Sequence, residues 1–230
     1  MQICSTGAQH SVSNRMPWFY RLALVLAPLV GLTLLGTSDV MAQNPQTIIR
    51  IEEDWVLQIN DPDAGNDAPQ IINVLSPTNL LDDLHGILEI NHSTAPDYQA
   101  GGMQLQLWKN EDQLSWKTHA NNARLQTDDE IISYTIVMEV ANGNLAFSII
   151  NGNSTTWGQF GQAQNLQVAS ATTNIQNLEG YDPQTSVTQS EIGYAANRVA
   201  MFALTKIRYY DANGLVNTDS TERIVHSQSP

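Results

Sequence analysis

Over most of this chain side-chain polarity reverses at every second residue, a period that a pleated strand wetted on one side produces and a helix does not. Along 131–140, Ile132, Tyr134, Ile136, Met138 and Val140 share one face; Ser133, Thr135 and Glu139 take the other, with Val137 the exception. Met103, Leu105 and Leu107 alternate with Gln104, Gln106 and Trp108, and Leu84, Gly86, Leu88 and Ile90 alternate with His85, Ile87, Glu89 and Asn91. Leu145, Phe147 and Ile149 continue the pattern. Asn142-Gly143 joins two such runs, as a tight hairpin with positive φ at both central residues requires. Asn151-Gly152 is expected to close the next strand, and Asn213-Gly214 to link 207–210 to Leu215-Val216. Pro/Asp/Asn/Gly clusters at 60–69, 76–83 and 93–102 separate the early strands. Segment 195–206 also fits helical spacing, but its continuation into Ile207-Arg-Tyr-Tyr210 favours a long strand. Many strands with no helix between them imply an all-β antiparallel sandwich or barrel.

Composition permits such a core. Of the 230 residues, 42% are hydrophobic and 14% charged. The formal net charge of -13 lacks the basic stripe that phosphate recognition needs, so no nucleic-acid partner is expected. The N-terminus reads as an export leader. Arg15 and Arg21 precede the apolar stretch Leu22 to Leu35, and Val40-Met41-Ala42 supplies a cleavage site. Residues 1–42 are therefore read as a signal peptide and 43–230 as one β-sandwich domain. An uncleaved anchor is the competing reading; it is disfavoured by the short uncharged stretch between Arg21 and Asp39, interrupted by Pro28, Gly31 and Gly36. The expected location is secreted, periplasmic or cell-envelope, with no stable membrane insertion after cleavage. The only cysteine, Cys4, leaves with the leader, so no disulfide or thiol chemistry is expected of the mature chain.

Local chemistry is sparse. Asp61, Asp63 and Asp67 alternate around Gly65 and could turn carboxylates toward a Ca2+ ion. Ile72, where an EF-hand has its bidentate Glu, favours a solvated acidic turn instead, and no cofactor is expected. No H-x-x-x-H, G-x-S-x-G or phosphate-loop motif occurs. Glu89 and Glu139 could serve as a glycosidase pair, but no spacing ties them together and solvent-facing strand glutamates are the simpler reading. If 84–91 and 103–108 are neighbours, their polar faces bring His85, Glu89, Asn91, Gln104, Gln106 and Trp108 onto one surface. Amides and a carboxylate can meet sugar hydroxyls, and an indole can cover a pyranose ring. An ordinary solvated sheet face is the alternative. Thr156 to Gly161 places Trp157 and Phe160 over a groove or a sandwich edge, while Trp55 and Trp116 are read as packing residues.

The order of elements resembles concanavalin A-like lectin/glucanase domains. An opening Glu53-Asp54-Trp55 strand, the Leu88-Glu89-Ile90-Asn91 strand, the Asn-Gly hairpin and a late Leu204-to-Tyr210 strand carry the resemblance. It implies a jelly-roll sandwich whose first and last strands pair in one sheet and whose concave sheet carries ligands. The E-x-D-x-x-E strand of the laminarinase branch is missing. The expectation is a non-catalytic exported sandwich that binds carbohydrate, as glycan or polysaccharide, or another extracellular polymer. The alternatives are a structural or adhesive envelope protein, and a glycoside hydrolase or lyase with a different arrangement.

Overall fold

The computed structural model describes residues 47–61, 68–81, 83–91, 101–125, 127–162, 165–170 and 173–228. The expected leader and Asp63 and Asp67 of the acidic turn lie outside the described residues. The described residues fall within one compact unit, Gln43–Pro230.

Thirteen strands among the described residues form two antiparallel sheets. In chain order they are β1 (Arg50–Ile59), β2 (Gln70–Leu75), β3 (Leu84–Ile90), β4 (Met103–Lys109), β5 (Asp112–Thr118), β6 (Ile131–Ala141), β7 (Asn144–Ser154), β8 (Gly158–Phe160), β9 (Gln167–Ser170), β10 (Glu191–Tyr194), β11 (Val199–Asp211), β12 (Gly214–Asp219) and β13 (Arg223–Ser227). The larger sheet has the order β12-β11-β1-β6-β7-β8, with β13 also on β11 and β9 also on β7; the smaller runs β10-β2-β3-β4-β5. The protein is thus an all-β sandwich, as the alternation predicts.

The apolar faces meet in the middle. Trp55, Leu57, Tyr134, Phe147 and Phe202 of the larger sheet pack against Ile71, Leu88, Ile90, Leu105 and Leu107 of the smaller one, all of them buried. Burial of each such side chain contributes about 1.5–3 kcal/mol. Gly86 belongs to this face, and the Phe147 ring fills the space that its missing Cβ leaves.

The turns follow local chemistry, with two exceptions. Asn142 (φ 52°) and Gly143 (φ 75°) form the two-residue β6–β7 hairpin. Asn151-Gly152 does not close its strand. Asn151 takes φ 54° and the pair makes a bulge, after which β7 runs on to Ser154 and pairs with β8. A side chain on Gly152 would collide with the Phe160 ring, so the bulge needs glycine there. At the β11–β12 corner the chain reverses at Ala212-Asn213, where Asp211 Oδ1 accepts the backbone N–H groups of Asn213 and Gly214. Segment 199–211 is a strand; a single 3-10 turn, Ala196–Arg198, precedes it.

One short helix, α1 (Pro183–Gln189), is not expected from the alternation. Its local signal is Asp182-Pro183: the Asp182 side chain caps Gln184 N–H, and proline suits the first helical position. α1 and the preceding Tyr181 sit against an unusual core residue. Glu53, on the inward face of β1, is fully buried and accepts hydrogen bonds from Tyr181 OH (2.5 Å), Ser186 Oγ (2.7 Å) and Trp55 Nε1 (2.9 Å). Burial outweighs these donors and pushes its carboxyl up to about 7.

Candidate functional site

β3 and β4 are neighbours, paired antiparallel with His85 opposite Trp108 and Glu89 opposite Gln104. Their outward side chains therefore share a face. β5 extends it, because Asn110 (φ 53°) and Glu111 turn the chain back and set Gln106 opposite Trp116 and Gln104 opposite Thr118.

A directed chain of hydrogen bonds runs across this face. Trp108 Nε1 donates to Gln106 Oε1 at 2.6 Å, which fixes that amide's orientation. Gln106 Nε2 then donates to Glu89 Oε2 at 3.0 Å and to Gln104 Oε1 at 2.9 Å. Gln104 Nε2 passes the chain to Thr118 Oγ1 at 3.1 Å. Each donor polarises the next, so the line behaves as a unit.

That order has a cost in access. Gln106 and Gln104 are only 3% and 7% exposed, so they scaffold the face more than they present it. His85 is buried as well; its Nδ1 lies 3.0 Å from the Asp83 carbonyl, which can only accept, so Nδ1 carries the proton. Asn91 leaves the face altogether. β3 ends at Ile90, Asn91 turns to φ 55°, and its buried side chain donates to Pro69 O (2.7 Å) while accepting from Leu125 N–H (3.0 Å). It is a loop clasp, not a ligand contact. Glu89 and Trp108 remain partly accessible.

Trp116 corrects the sequence reading in the other direction. Read as a packing residue, it is 57% exposed on the outward face of β5. Leu114 lies two residues before it and Thr118 two after, both exposed. The period-two run Leu114, Trp116, Thr118 is the signal that could have found it. Trp55, Trp157 and Phe160 are buried, and Trp157 Nε1 donates to Ala123 O at 2.8 Å.

The two glutamates weighed as a catalytic pair belong to different sheets. Glu89 faces outward from the smaller sheet, whereas Glu139 faces outward from the larger one and takes a hydrogen bond from Arg50 Nη1 at 2.6 Å. With the core between them they cannot flank one glycosidic bond. Carboxylates that do share a face are Glu52 and Asp54 on β1. For both, burial pushes the carboxyl up, but the hydrogen bonds of Arg208, with Arg50 on Glu52 and Thr135 on Asp54, outweigh it and hold both below their ordinary values. A general acid needs the opposite shift.

Asp61, the described member of the acidic turn, takes φ 43°, and its carbonyl accepts Arg198 Nη1 at 2.7 Å. Among the described residues no three His, Cys, Asp or Glu side chains converge as a metal group. No helix among them is long and apolar enough to cross a membrane. No protein-family model matches the chain, and no curated protein matches it.

Proposed function

We propose that the chain is an exported, non-catalytic sandwich that binds a carbohydrate polymer on the outward face of its five-stranded sheet. The observation that carries this reading is the placement of Trp116 beside the ordered amides. Its exposed indole stands opposite Gln106, with Glu89, Thr118 and Trp108 on the same face. An exposed indole on a strand offers an apolar platform for a pyranose C–H face. Glu89 and the Thr118 hydroxyl supply polar atoms beside it for sugar hydroxyls, and strands hold such groups more rigidly than loops. A jelly roll of the concanavalin A-like kind belongs to the same proposal, supported by the pairing of β1 with the late strand β11.

A polysaccharide pull-down or glycan array of the purified chain tests it, with Trp116→Ala and Trp108→Ala alongside. Retention of one class of polysaccharide, lost in Trp116→Ala, is the expected result. Failure of the wild-type chain to bind any glycan would overturn it.

Leu114 and Trp116, both exposed on the open edge strand β5, favour a second reading as an adhesive envelope protein. Binding of Trp116-dependent protein partners with no glycan response would select that reading.

A further inference from the structure

The opposite side of the sandwich carries a second feature, independent of the Trp116 face. A cleft of about 500 Å³ opens on the outward surface of the eight-stranded sheet. That size lies within the usual range for small-ligand sites. Glu52, Asp54 and Val56 of β1 and Ser133 and Thr135 of β6 form its floor; Thr205 and Arg208 of β11 and Asn151 of β7 flank it.

Two β-bulges shape this cleft. On β11, Thr205 is the extra residue between Lys206, opposite Asp54, and Leu204, opposite Trp55. On β7, the Asn151-Gly152 bulge falls between the partners of Ser133 and Thr135. Since Asp54 and Trp55 pair with Thr135 and Tyr134, both irregularities sit on the same cross-strand row, one on each side of the β1–β6 pair. Bulges re-aim side chains and gather beside functional sites. Two of them converging on one cavity is more than strand pairing needs.

The electrostatics define what could enter. Arg208 donates through Nε to Glu52 Oε2 (2.8 Å) and through Nη1 and Nη2 to the two Asp54 oxygens (2.6 and 2.7 Å). Glu52 also accepts two bonds from Arg50 and one from Tyr210 OH, and Asp54 accepts Thr135 Oγ1 at 2.7 Å. Both carboxylates are thereby saturated, so a cation finds no free oxygen pair. An anion meets those same carboxylates. Among the described residues the Ser133 hydroxyl and the Asn151 amide make no side-chain hydrogen bond, and the Arg208 guanidinium has five N–H groups, of which three go to Glu52 and Asp54 and a further one faces the Tyr210 hydroxyl.

We infer that this cleft is a binding site for a neutral, polyhydroxylated ligand of about one or two sugar rings, held by Ser133, Asn151 and the Arg208 guanidinium that Glu52 and Asp54 lock in place.

The test is an NMR titration of the 15N-labelled chain with neutral β-1,3- and β-1,4-glucan, xylan and chitin oligosaccharides. Its variants are Ser133→Ala/Asn151→Gly and Trp116→Ala. Glycine accepts the positive φ of position 151, and neither change in the double variant touches the ion pairs, so the fold is retained. The expected result is saturable shifts of the Ser133, Thr135, Asn151 and Thr205 amides. The affinity read from those four cleft amides should fall at least about tenfold in the double variant, the loss of two hydrogen bonds, and stay unchanged in Trp116→Ala, whose effect is confined to the shifts of β4 and β5. Shifts confined to β4 and β5 would overturn the cleft and leave the Trp116 face standing. Shifts in the cleft alone would support the cleft and retire the Trp116 face as a glycan site. Unaltered affinity in the double variant, or no shift with any oligosaccharide, would also overturn the inference.

Discussion

Gly86 of β3 and Phe147 of β7 share one volume across the sandwich: a Cβ built on Gly86 would lie 2.6 Å from Phe147 Cδ1. The ring cannot move away without disturbing a core in which Phe147 is fully buried. Gly86→Ala is therefore expected to destabilise the fold by about 1–3 kcal/mol, the usual range for overpacking. Adding Phe147→Leu should recover part of that loss. Urea denaturation of the two variants measures it; an unchanged midpoint in Gly86→Ala would show that the sheets are not packed in this register.

Glu53 gives the fold an inverted response to acid. Its carboxyl is raised from 4.5 to about 7, so the folded state holds a proton that the unfolded chain has released between those values. Its contribution is complete below about pH 4.5 and is lost as pH rises through 7, amounting to about 3 kcal/mol. Glu52 and Asp54 act in the other direction, since their lowered values add stability above about pH 4 that disappears on further acidification. A stability maximum between about pH 4 and 5 follows. Denaturation across pH 3–8 should find it, and Glu53→Gln should flatten the fall from pH 5 to 8.

Arg208 is the common partner of Glu52 and Asp54, and its side chain retains 19% exposure. Arg208→Gln leaves Asp54 without its bidentate partner, while Arg50 still neutralises Glu52. A loss of about 1–3 kcal/mol at pH 7 is expected, below the figure for a fully buried pair because solvent screens these groups. At pH 3, with the carboxylates partly protonated, the difference from wild type should shrink. Equal losses at both pH values would mean that the guanidinium acts through packing alone.

Trp116 separates recognition from stability. Being exposed, its replacement by alanine should change folding stability by no more than about 0.5 kcal/mol. Polysaccharide retention, by contrast, should fall about tenfold or more, since base-stacking and sugar-stacking aromatics act through the same apolar face. Thermal melting and retention measured on one preparation settle the point. A large drop in melting temperature would place Trp116 in the packing after all.

Strand faces are legible in the amino-acid order because the pleat alternates side chains by backbone geometry alone. Ile132 to Val140, Met103 to Leu107 and Leu84 to Ile90 turn their alternating apolar residues inward, Val137 and Ile87 excepted, and Asn142-Gly143 makes the turn that its backbone freedom favours. Asp182-Pro183 carries an equally local signal for α1. What lies beside each strand is another matter. Alternation tells Trp108 and Gln106 from Leu107, but it cannot say that Gln106 is covered by its neighbours while Trp116 stands open. The same pattern gives no hint that Glu53 is enclosed by Tyr181 and Ser186, more than a hundred positions further along the chain. Nor does it show that Thr205 and Asn151 bulge on one row and open a cleft. Burial and hydrogen bonding at these places belong to pairs of segments far apart in the chain, and only the packed sheets bring them together.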